Sequence, residues 1–200
     1  MSGAGRFEPR EAPLKDGRRV TIRRVELADL VSYFEMERDL FLAGVGQVRS
    51  PDETPDTVEG QEEKLRPWID GDHSGVKGLQ LVAVDERGEI AGAARVRRAS
   101  PKRVRHNATL SVGVKPSWQG LGVGRALMVA MIDWCRGCSH TNAAAKTGGV
   151  TRVDLCVFAN NARAIALYES LGFARVGVRH GFVRFEDGRC VDDYLMELML

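Results

Sequence analysis

Apolar and polar residues alternate in several short stretches of the chain, and this pattern predicts a sheet-forming protein. Alternation with a period of two is typical of a strand that buries one face. The stretches with this pattern are 19–24, 78–85, 89–97, 106–114, 151–158 and the two arms of 173–200. Turns at Glu86–Gly88 and at Asp187-Gly188 join neighbouring stretches, so the sequence predicts two β-hairpins.

Four further stretches carry apolar residues at helical spacing. The first predicted helix starts near Ala28 and buries Leu30, Phe34 and Phe41. The second starts at Thr54-Pro55, because threonine is a good N-cap and proline fits the first helical position, and it ends near Pro67. The other two span 123–135 and 162–171, and their buried positions are Val123, Leu127, Ala130, Met131 and Trp134 in one and Ala164, Leu167, Tyr168 and Leu171 in the other.

Composition is that of an ordinary globular protein. The chain has 200 residues, of which 44% are hydrophobic and 28% charged, and its net charge is +2. This length suits one domain, predicted over residues 18–200, whereas residues 1–17 are rich in Gly, Pro and charge and predict a flexible N-terminal tail. No apolar run reaches the ~20 residues of a membrane helix. The start lacks the apolar core of a secretory signal, so we expect a cytoplasmic protein with no membrane partner.

Two polar features have competing interpretations. The basic run Arg95 to Arg105 could attract phosphate, an acidic acceptor or nucleic acid. It has no interleaved aromatic residues, so a solvated hairpin tip is preferred and no nucleic-acid partner is expected. Cys135 and Cys138, followed by His140, could bind zinc or take part in redox chemistry. A zinc site needs a fourth ligand and none is evident, so the sequence predicts ordinary thiols and no metal.

A glycine-rich turn, Gln119-Gly-Leu-Gly-Val-Gly-Arg125, lies between a predicted strand and the central helix. Glycine lets the backbone approach a ligand, and the first N–H groups of a helix have no intrahelical acceptor, so this arrangement suits a pyrophosphate. A P-loop would need Lys-Ser/Thr after its glycines, where Arg125 stands. A dinucleotide fingerprint would need glycine at position 125 and an acidic residue after the next strand, and no convincing one follows.

A second motif lies one helix and one strand further on. It reads Leu155-Cys-Val-Phe-Ala-Asn-Asn161, followed by Ala-Arg-Ala-Ile-Ala-Leu-Tyr168-Glu-Ser-Leu-Gly172-Phe173. With Gln119-x-x-Gly122-x-Gly124, it closely resembles the two signatures of the GNAT (Gcn5-related) N-acetyltransferases, in that family's order and spacing. The resemblance covers about 20–200. It implies an α/β (α+β) fold, in which a mixed, mostly antiparallel sheet of about seven strands is flanked by helices and splits at the acetyl-CoA site.

The resemblance also implies which residues bind the cosubstrate acetyl-CoA. The glycine turn and Arg125 would bind the pyrophosphate, the edge of the preceding strand would pair with the pantetheine amides, and Asn161 would bond the cofactor arm. The implied cofactor-binding residues are Val112, Gly113, Val114, Gln119, Gly120, Leu121, Gly122, Val123, Gly124, Arg125, Asn161 and Tyr168. From the residues alone, Asn161 or Asn160 could instead be a helix N-cap. Gly113 could mark the irregularity that splits the sheet or be only a weak point in the strand.

Attack of an amine on a thioester needs a proton donor for the leaving thiolate and a proton acceptor for the amine. The resemblance places Tyr168 where the family has its general acid, and a core aromatic residue is the alternative. Some family members carry a glutamate on the strand before the turn, but 106–114 contains no carboxylate. His106 is the candidate base, or a solvated strand end, and Asp192, Asp193 and Glu35 are reserves. A water relay or an amine that arrives neutral would need no such residue.

These features predict an acetyl-CoA-dependent N-acetyltransferase for a primary amine of a small molecule, such as an amino acid, a polyamine or an aminoglycoside. The alternatives are acetylation of a protein N-terminus or lysine, and a non-catalytic acyl-CoA sensor. A homodimer formed through a sheet edge or the terminal hairpin would fit the resemblance.

Overall fold

The computed structural model describes residues 7–44, 46–53, 57–70, 78–140 and 149–200, and within them eight strands form one sheet. The strands are β1 (Arg10–Pro13), β2 (Arg19–Arg24), β3 (Gly78–Val84), β4 (Ile90–Arg98), β5 (Asn107–Val114), β6 (Arg152–Phe158), β7 (Ala174–Arg184) and β8 (Cys190–Met199). Their order in the sheet is β1-β2-β3-β4-β5-β6-β8-β7, and all neighbouring pairs are antiparallel except the parallel pair β5–β6. The mixed, mostly antiparallel sheet is confirmed, with one strand more than the predicted seven.

The additional strand corrects part of the predicted flexible tail. Residues 10–13 pair with β2, and the side chains of Phe7 and Leu14 on either side of the strand are buried. Gly17, with a φ of 86°, turns the chain back into β2. The sequence Arg-Glu-Ala-Pro has little apolar alternation because β1 is a short edge strand whose side chains are mostly exposed. The remainder of the predicted tail, 1–6, lies outside the described residues.

The described residues also form four α-helices, which cover both faces of the sheet: α1 (Leu30–Ala43), α2 (Val58–Ile69), α3 (Val123–His140) and α4 (Ala162–Ser170). Helices α3 and α4 pack with most strands into one apolar cluster, in which Leu127, Met128 and Met131 are fully buried. Helices α1 and α2 pack on the opposite face in a second, smaller cluster. No helix in the described part of the chain is long and apolar enough to cross a membrane.

The first two helices differ in detail from the prediction. Helix α1 buries Tyr33, Met36 and Leu40, whereas Phe34 is only partly buried. Apolar residues surround most of this helix, so its spacing alone does not determine which side faces the sheet. Helix α2 begins after Thr57, whose hydroxyl accepts a 3.2 Å hydrogen bond from the N–H of Gly60. The predicted cap, 54–55, lies outside the described residues, and Pro67 is inside the last turn of α2.

The first part of the basic run lies in β4 and contributes to packing. The guanidinium carbons of Arg95 and Arg97 lie 4.7 and 5.3 Å from the ring centroid of Trp68 in α2. Arg95 also donates a 2.8 Å hydrogen bond to the buried side chain of Gln80. Cation–π contacts of this kind attach α2 to the sheet, which is a structural role for both arginines.

Candidate active site

The sheet separates between β5 and β6. These strands pair only from Asn107–Thr109 with Arg152–Asp154, after which β5 stays paired with β4 and β6 with β8. A cleft of about 690 Å³ opens beyond the last pair, lined by the ends of both strands, the glycine turn and α4. Both sequence motifs therefore meet at one cavity.

Along the unpaired edge of β5, every second residue directs its backbone N–H and carbonyl groups into this cleft. The N–H of Lys115 donates to Ala91 in β4, and the carbonyl of His106 accepts from residues 151 and 152 at the start of β6. Peptide groups alternate in direction along a strand, so those of Val112 and Val114 point into the cleft and those of Gly113 point to β4. The carbonyl of Val114 already accepts a 3.0 Å hydrogen bond from the Gln119 side chain.

Gly113 lies in a regular part of the sheet. The register between β4 and β5 is continuous from 92 to 98, so the split does not arise from an irregularity at Gly113. A Cβ atom at this position would come within 2.7 Å of Leu40 Cδ1, because α1 crosses closely over the strand. Gly113 therefore permits this close packing of α1 over the split.

The glycine turn leads into α3 at one end of the cleft. Gly120 and Gly122 have φ values of 83° and 107°, a backbone conformation that side chains strongly disfavour. The first helical hydrogen bond runs from the N–H of Ala126 to the carbonyl of Gly122, which leaves the N–H groups of 123–125 at the helix start without an intrahelical acceptor. This end of the cleft suits an anion.

Three cationic side chains line the cleft at the same end. Arg125 donates to Ser170 in α4 at 2.9 Å, and Arg163 donates to the Gln119 side chain at 3.1 Å. Lys15 is brought there by a hydrogen bond from its backbone N–H to the carbonyl of Leu121. Nothing in the sequence pattern pointed to Lys15, because it precedes the turn by about a hundred residues.

Tyr168 lines the cleft from α4. Its side chain is 7% exposed, its ring lies 6.0 Å from that of Phe173, and burial raises its pKa to about 12. The hydroxyl has no hydrogen-bond partner among the described residues and is thus available to a molecule in the cleft. Both sequence interpretations apply: Tyr168 belongs to the core and presents its hydroxyl to the cleft.

Asn161 both caps α4 and lines the cleft. It is the N-cap of α4, where its Oδ1 accepts a 3.2 Å hydrogen bond from the N–H of Ala164. The side-chain amide is still part of the cleft lining, and its nitrogen lies close to Gly46. The cap is therefore at residue 161 rather than 160.

His106 does not lie at the cleft. It is exposed, precedes β5, and is absent from the residues that line the cavity. Because the strands remain paired as far as Thr109, His106 is separated from the split by the closed part of the sheet. Glu35 and Asp192 are also outside the lining, and Asp192 contacts His180 at 3.0 Å.

Asp193 is the one carboxylate among the described lining residues. It is almost fully buried and forms an ion pair with Arg179, whose side chain remains 36% exposed. Cys156 lies nearby, and burial, with a further contribution from the negative charge of Asp193, raises the pKa of its thiol. A thiol with a raised pKa stays protonated at neutral pH and is a poor nucleophile.

No group of three or more His, Cys, Asp or Glu side chains in the described residues is arranged to hold a metal ion. Cys135 is buried and belongs to the core around α3. The side chains of Cys138 and His140, the other members of the zinc alternative, lie outside the described residues.

Comparison with known proteins gives a family match over much of the chain. The sequence profile described as "Acetyltransferase (GNAT) family" matches residues 46–173, which is more than half of the sequence. This range contains α2, the split strands and both motifs.

The names of individual relatives indicate different acceptors of the acetyl group. The N-alpha-acetyltransferase RimI of Mycobacterium tuberculosis is 35% identical over 47% of this chain, and the match spans about half of that relative's length, 49%. The L-amino acid N-acetyltransferase AaaT of Escherichia coli is 32% identical over 62% of this chain and 69% of its own length.

A solved structure supports the same similarity in three dimensions. The structure of yncA from Salmonella typhimurium, determined with its cofactor acetyl-CoA, superposes with a TM-score of 0.72. It is 26% identical and covers 90% of this chain and 94% of that one.

Proposed function

The chain belongs to the GNAT family of acetyltransferases, and from that membership we propose that it transfers the acetyl group of acetyl-CoA to a primary amine of a small molecule. The observation that carries the proposal is the meeting of three features in one cleft: the open edge of β5, the glycine turn at the start of α3, and the hydroxyl of Tyr168, which has no hydrogen-bond partner among the described residues. Each corresponds to one requirement of acetyl transfer from a thioester.

The glycine turn would bind the pyrophosphate through backbone N–H groups and the charges of Arg125, Arg163 and Lys15. The peptide groups of Val112 and Val114 would pair with the pantetheine amides as an added strand does. A backbone N–H on this edge would also donate to the oxygen that becomes negative during attack. Of the other predicted contacts, Gly113 and Asn161 would adjoin the pantetheine arm, whereas Gln119, Leu121 and Val123 belong to the turn that would bind the pyrophosphate. The side chains of Leu121 and Val123 are not part of the cleft lining, so only their backbone would take part.

Proton transfer would depend mainly on Tyr168. The amine attacks in its neutral form, the carbon–sulfur bond breaks, and the departing thiolate takes a proton from the phenol. The amine must release one proton in turn. Because His106 lies outside the cleft, the proton that the attacking nitrogen releases would pass to water. An ammonium would lose its extra proton before it binds, and the phenol would recover its own proton from solvent.

The names of the relatives favour a small-molecule acceptor. Leu40 in α1 and residues 46–48 line the cleft together with the cofactor motifs, so an acceptor would contact this part of the chain. The relative with the larger share of matched length is named for amino acids, whereas the name of RimI supports a protein N-terminus as the second candidate.

Thiol release from acetyl-CoA distinguishes these candidates. The panel contains amino acids, polyamines, aminoglycosides and peptides with a free N-terminus or lysine, and a reaction without amine corrects for hydrolysis. We expect release with one class of small amine. Thiol release with peptides alone would indicate a protein acceptor instead. No thiol release with any amine, although acetyl-CoA binds, would favour a non-catalytic sensor.

The raised pKa of Tyr168 predicts the shape of the pH–rate profile. The phenol acts in its protonated form, which persists until pH approaches about 12, so its titration should cause no fall in kcat between pH 7 and 10. An unshifted phenol would begin to lose its proton within this range. An alkaline decline centred below pH 10 that disappears in Tyr168→Phe would contradict the assignment.

Lys15→Ala is expected to weaken acetyl-CoA binding about two- to fivefold, since an exposed charge contributes modestly to an ionic contact. Titration calorimetry at two salt concentrations measures this, and the loss should shrink at the higher one because salt screens exposed charges. Lys102→Ala, at an exposed lysine outside the cleft, is the matched control. Equal affinities of both variants would remove Lys15 from the site.

A further inference from the structure

One face of the cleft has no assigned part in cofactor binding. Phe158, Asp193 and Arg179 are paired across β6, β8 and β7, and paired residues project from the same face of a sheet. Cys156 shares that face because it precedes Phe158 by two positions. Val153, Leu155 and Val157 project from the other face into the core around α3. Arg179 and Asp193 therefore lie on the side that α1 covers, away from the helices of the cofactor motifs.

Arg179 is held in place by two contacts. One edge of its guanidinium is paired with Asp193, which is almost completely buried, and its Cζ atom lies 3.5 Å from the ring centroid of Phe182. Its Nη1 has no hydrogen-bond partner among the described residues, although the side chain lines the cleft. Nε is buried and also lacks a partner in the described part of the chain. A guanidinium fixed in this way loses little conformational freedom when it binds an anion.

The charges of the cleft separate into two groups. Lys15, Arg125 and Arg163 surround the glycine turn, as their contacts with Leu121, Ser170 and Gln119 show. The other two charged residues of the described lining are Arg179 and Asp193. The face that carries Arg179 and Asp193 thus offers an accessible cation paired with a buried anion. Among the lining residues that the structure describes, it offers no accessible carboxylate that could bind a polyamine.

We propose that Arg179 binds a carboxylate of the acceptor, so that the substrate is an amino acid. This inference rests on the proposed acetyl transfer and names the acceptor class for the same cleft. Guanidinium and carboxylate match in geometry and can form two parallel hydrogen bonds. Phe182 and Asp193 are positioning residues that fix the orientation of Arg179.

Amines that differ only in the carboxylate test the proposal directly. Phenylalanine, its amide and phenethylamine present the same ring and amine, and methionine, its amide and 3-(methylthio)propylamine form a second series. We expect kcat/KM for the acids to exceed that for the amides and decarboxylated amines roughly 10- to 100-fold, as for a hydrogen-bonded charge pair. Equal turnover of all three members in both series would overturn the proposal.

Substitution of Arg179 supplies the second test. Arg179→Gln should raise KM for the acids about tenfold with little change in kcat, and leave the amides unchanged. Arg184→Gln, on the same strand but outside the cleft lining, is the matched control. Because Arg179→Gln leaves Asp193 buried without its ion pair, Arg179→Lys, which keeps a cation there, is measured alongside and should weaken the acids less. Equal loss for acids and amides in both Arg179 variants would show a merely structural role.

A measurement of acceptor binding distinguishes failure of this inference from failure of the proposed acetyl transfer. Phenylalanine and its amide are titrated into the wild-type protein saturated with CoA. The acid should bind more tightly than the amide, and Arg179→Gln should weaken binding of the acid about tenfold. Acid binding without turnover would retain the assignment of Arg179 and remove the proposed transfer. Turnover of amines with no preference for acids would retain the proposed acetyl transfer and remove the assignment of Arg179.

Discussion

Replacing Tyr168 by phenylalanine is expected to lower kcat by roughly 10² while the dissociation constant of acetyl-CoA stays nearly unchanged. The substitution removes one oxygen atom and leaves the ring beside Phe173 in the core. A general acid contributes only when the thiolate departs, so its loss affects turnover rather than cofactor binding.

Stability offers a check on this interpretation. The Tyr168 hydroxyl has no partner among the described residues, so its removal breaks no protein hydrogen bond and should leave the melting temperature unchanged or slightly higher. Tyr194→Phe, at a tyrosine outside the cleft lining, is the control for loss of a phenol. Steady-state thiol release measures kcat, and calorimetry with acetyl-CoA measures its dissociation constant. Unchanged turnover in Tyr168→Phe would exclude the phenol as the acid.

Local sequence predicted the elements that bear the two motifs. Strand β6, helix α4 and the hairpin of β7 and β8 appear close to their expected bounds because their periodicity and turn residues agree with their burial. Periodicity failed for β1, which is too short and exposed to alternate, and for α1, where apolar residues surround most of the helix.

The cleft itself depends on contacts between distant parts of the chain. His106 was a reasonable candidate base from its position on the strand, but the register of β5 and β6 keeps the strands closed beside it. Lys15 reaches the glycine turn through one backbone hydrogen bond. The pairing of Arg179 with Asp193 follows from the register of β7 and β8, which a single sequence does not specify.

Substitutions in the glycine turn should separate cofactor binding from folding. Gly122 has a φ of 107°, so Gly122→Val forces a β-branched residue into a conformation that it avoids and places atoms where the pyrophosphate is proposed. Gly124 has an ordinary backbone, and a Cβ there would make only normal 3.4 Å contacts with Leu167 and Val114. Gly124→Ala should therefore fold as well as the wild type, or better, since alanine favours a helix.

We expect the dissociation constant of acetyl-CoA to rise about 10- to 100-fold in both variants, because each adds atoms to a close contact between backbone and ligand. Only Gly122→Val should also lower the melting temperature. Gly137→Ala in the same helix, where a Cβ meets nothing within 4 Å, is the control and should bind acetyl-CoA normally. Gly124→Ala gives the decisive result, since its fold is expected to be intact. If it binds acetyl-CoA as tightly as the wild type, the pyrophosphate lies elsewhere, and the anion-binding role of the α3 start is wrong.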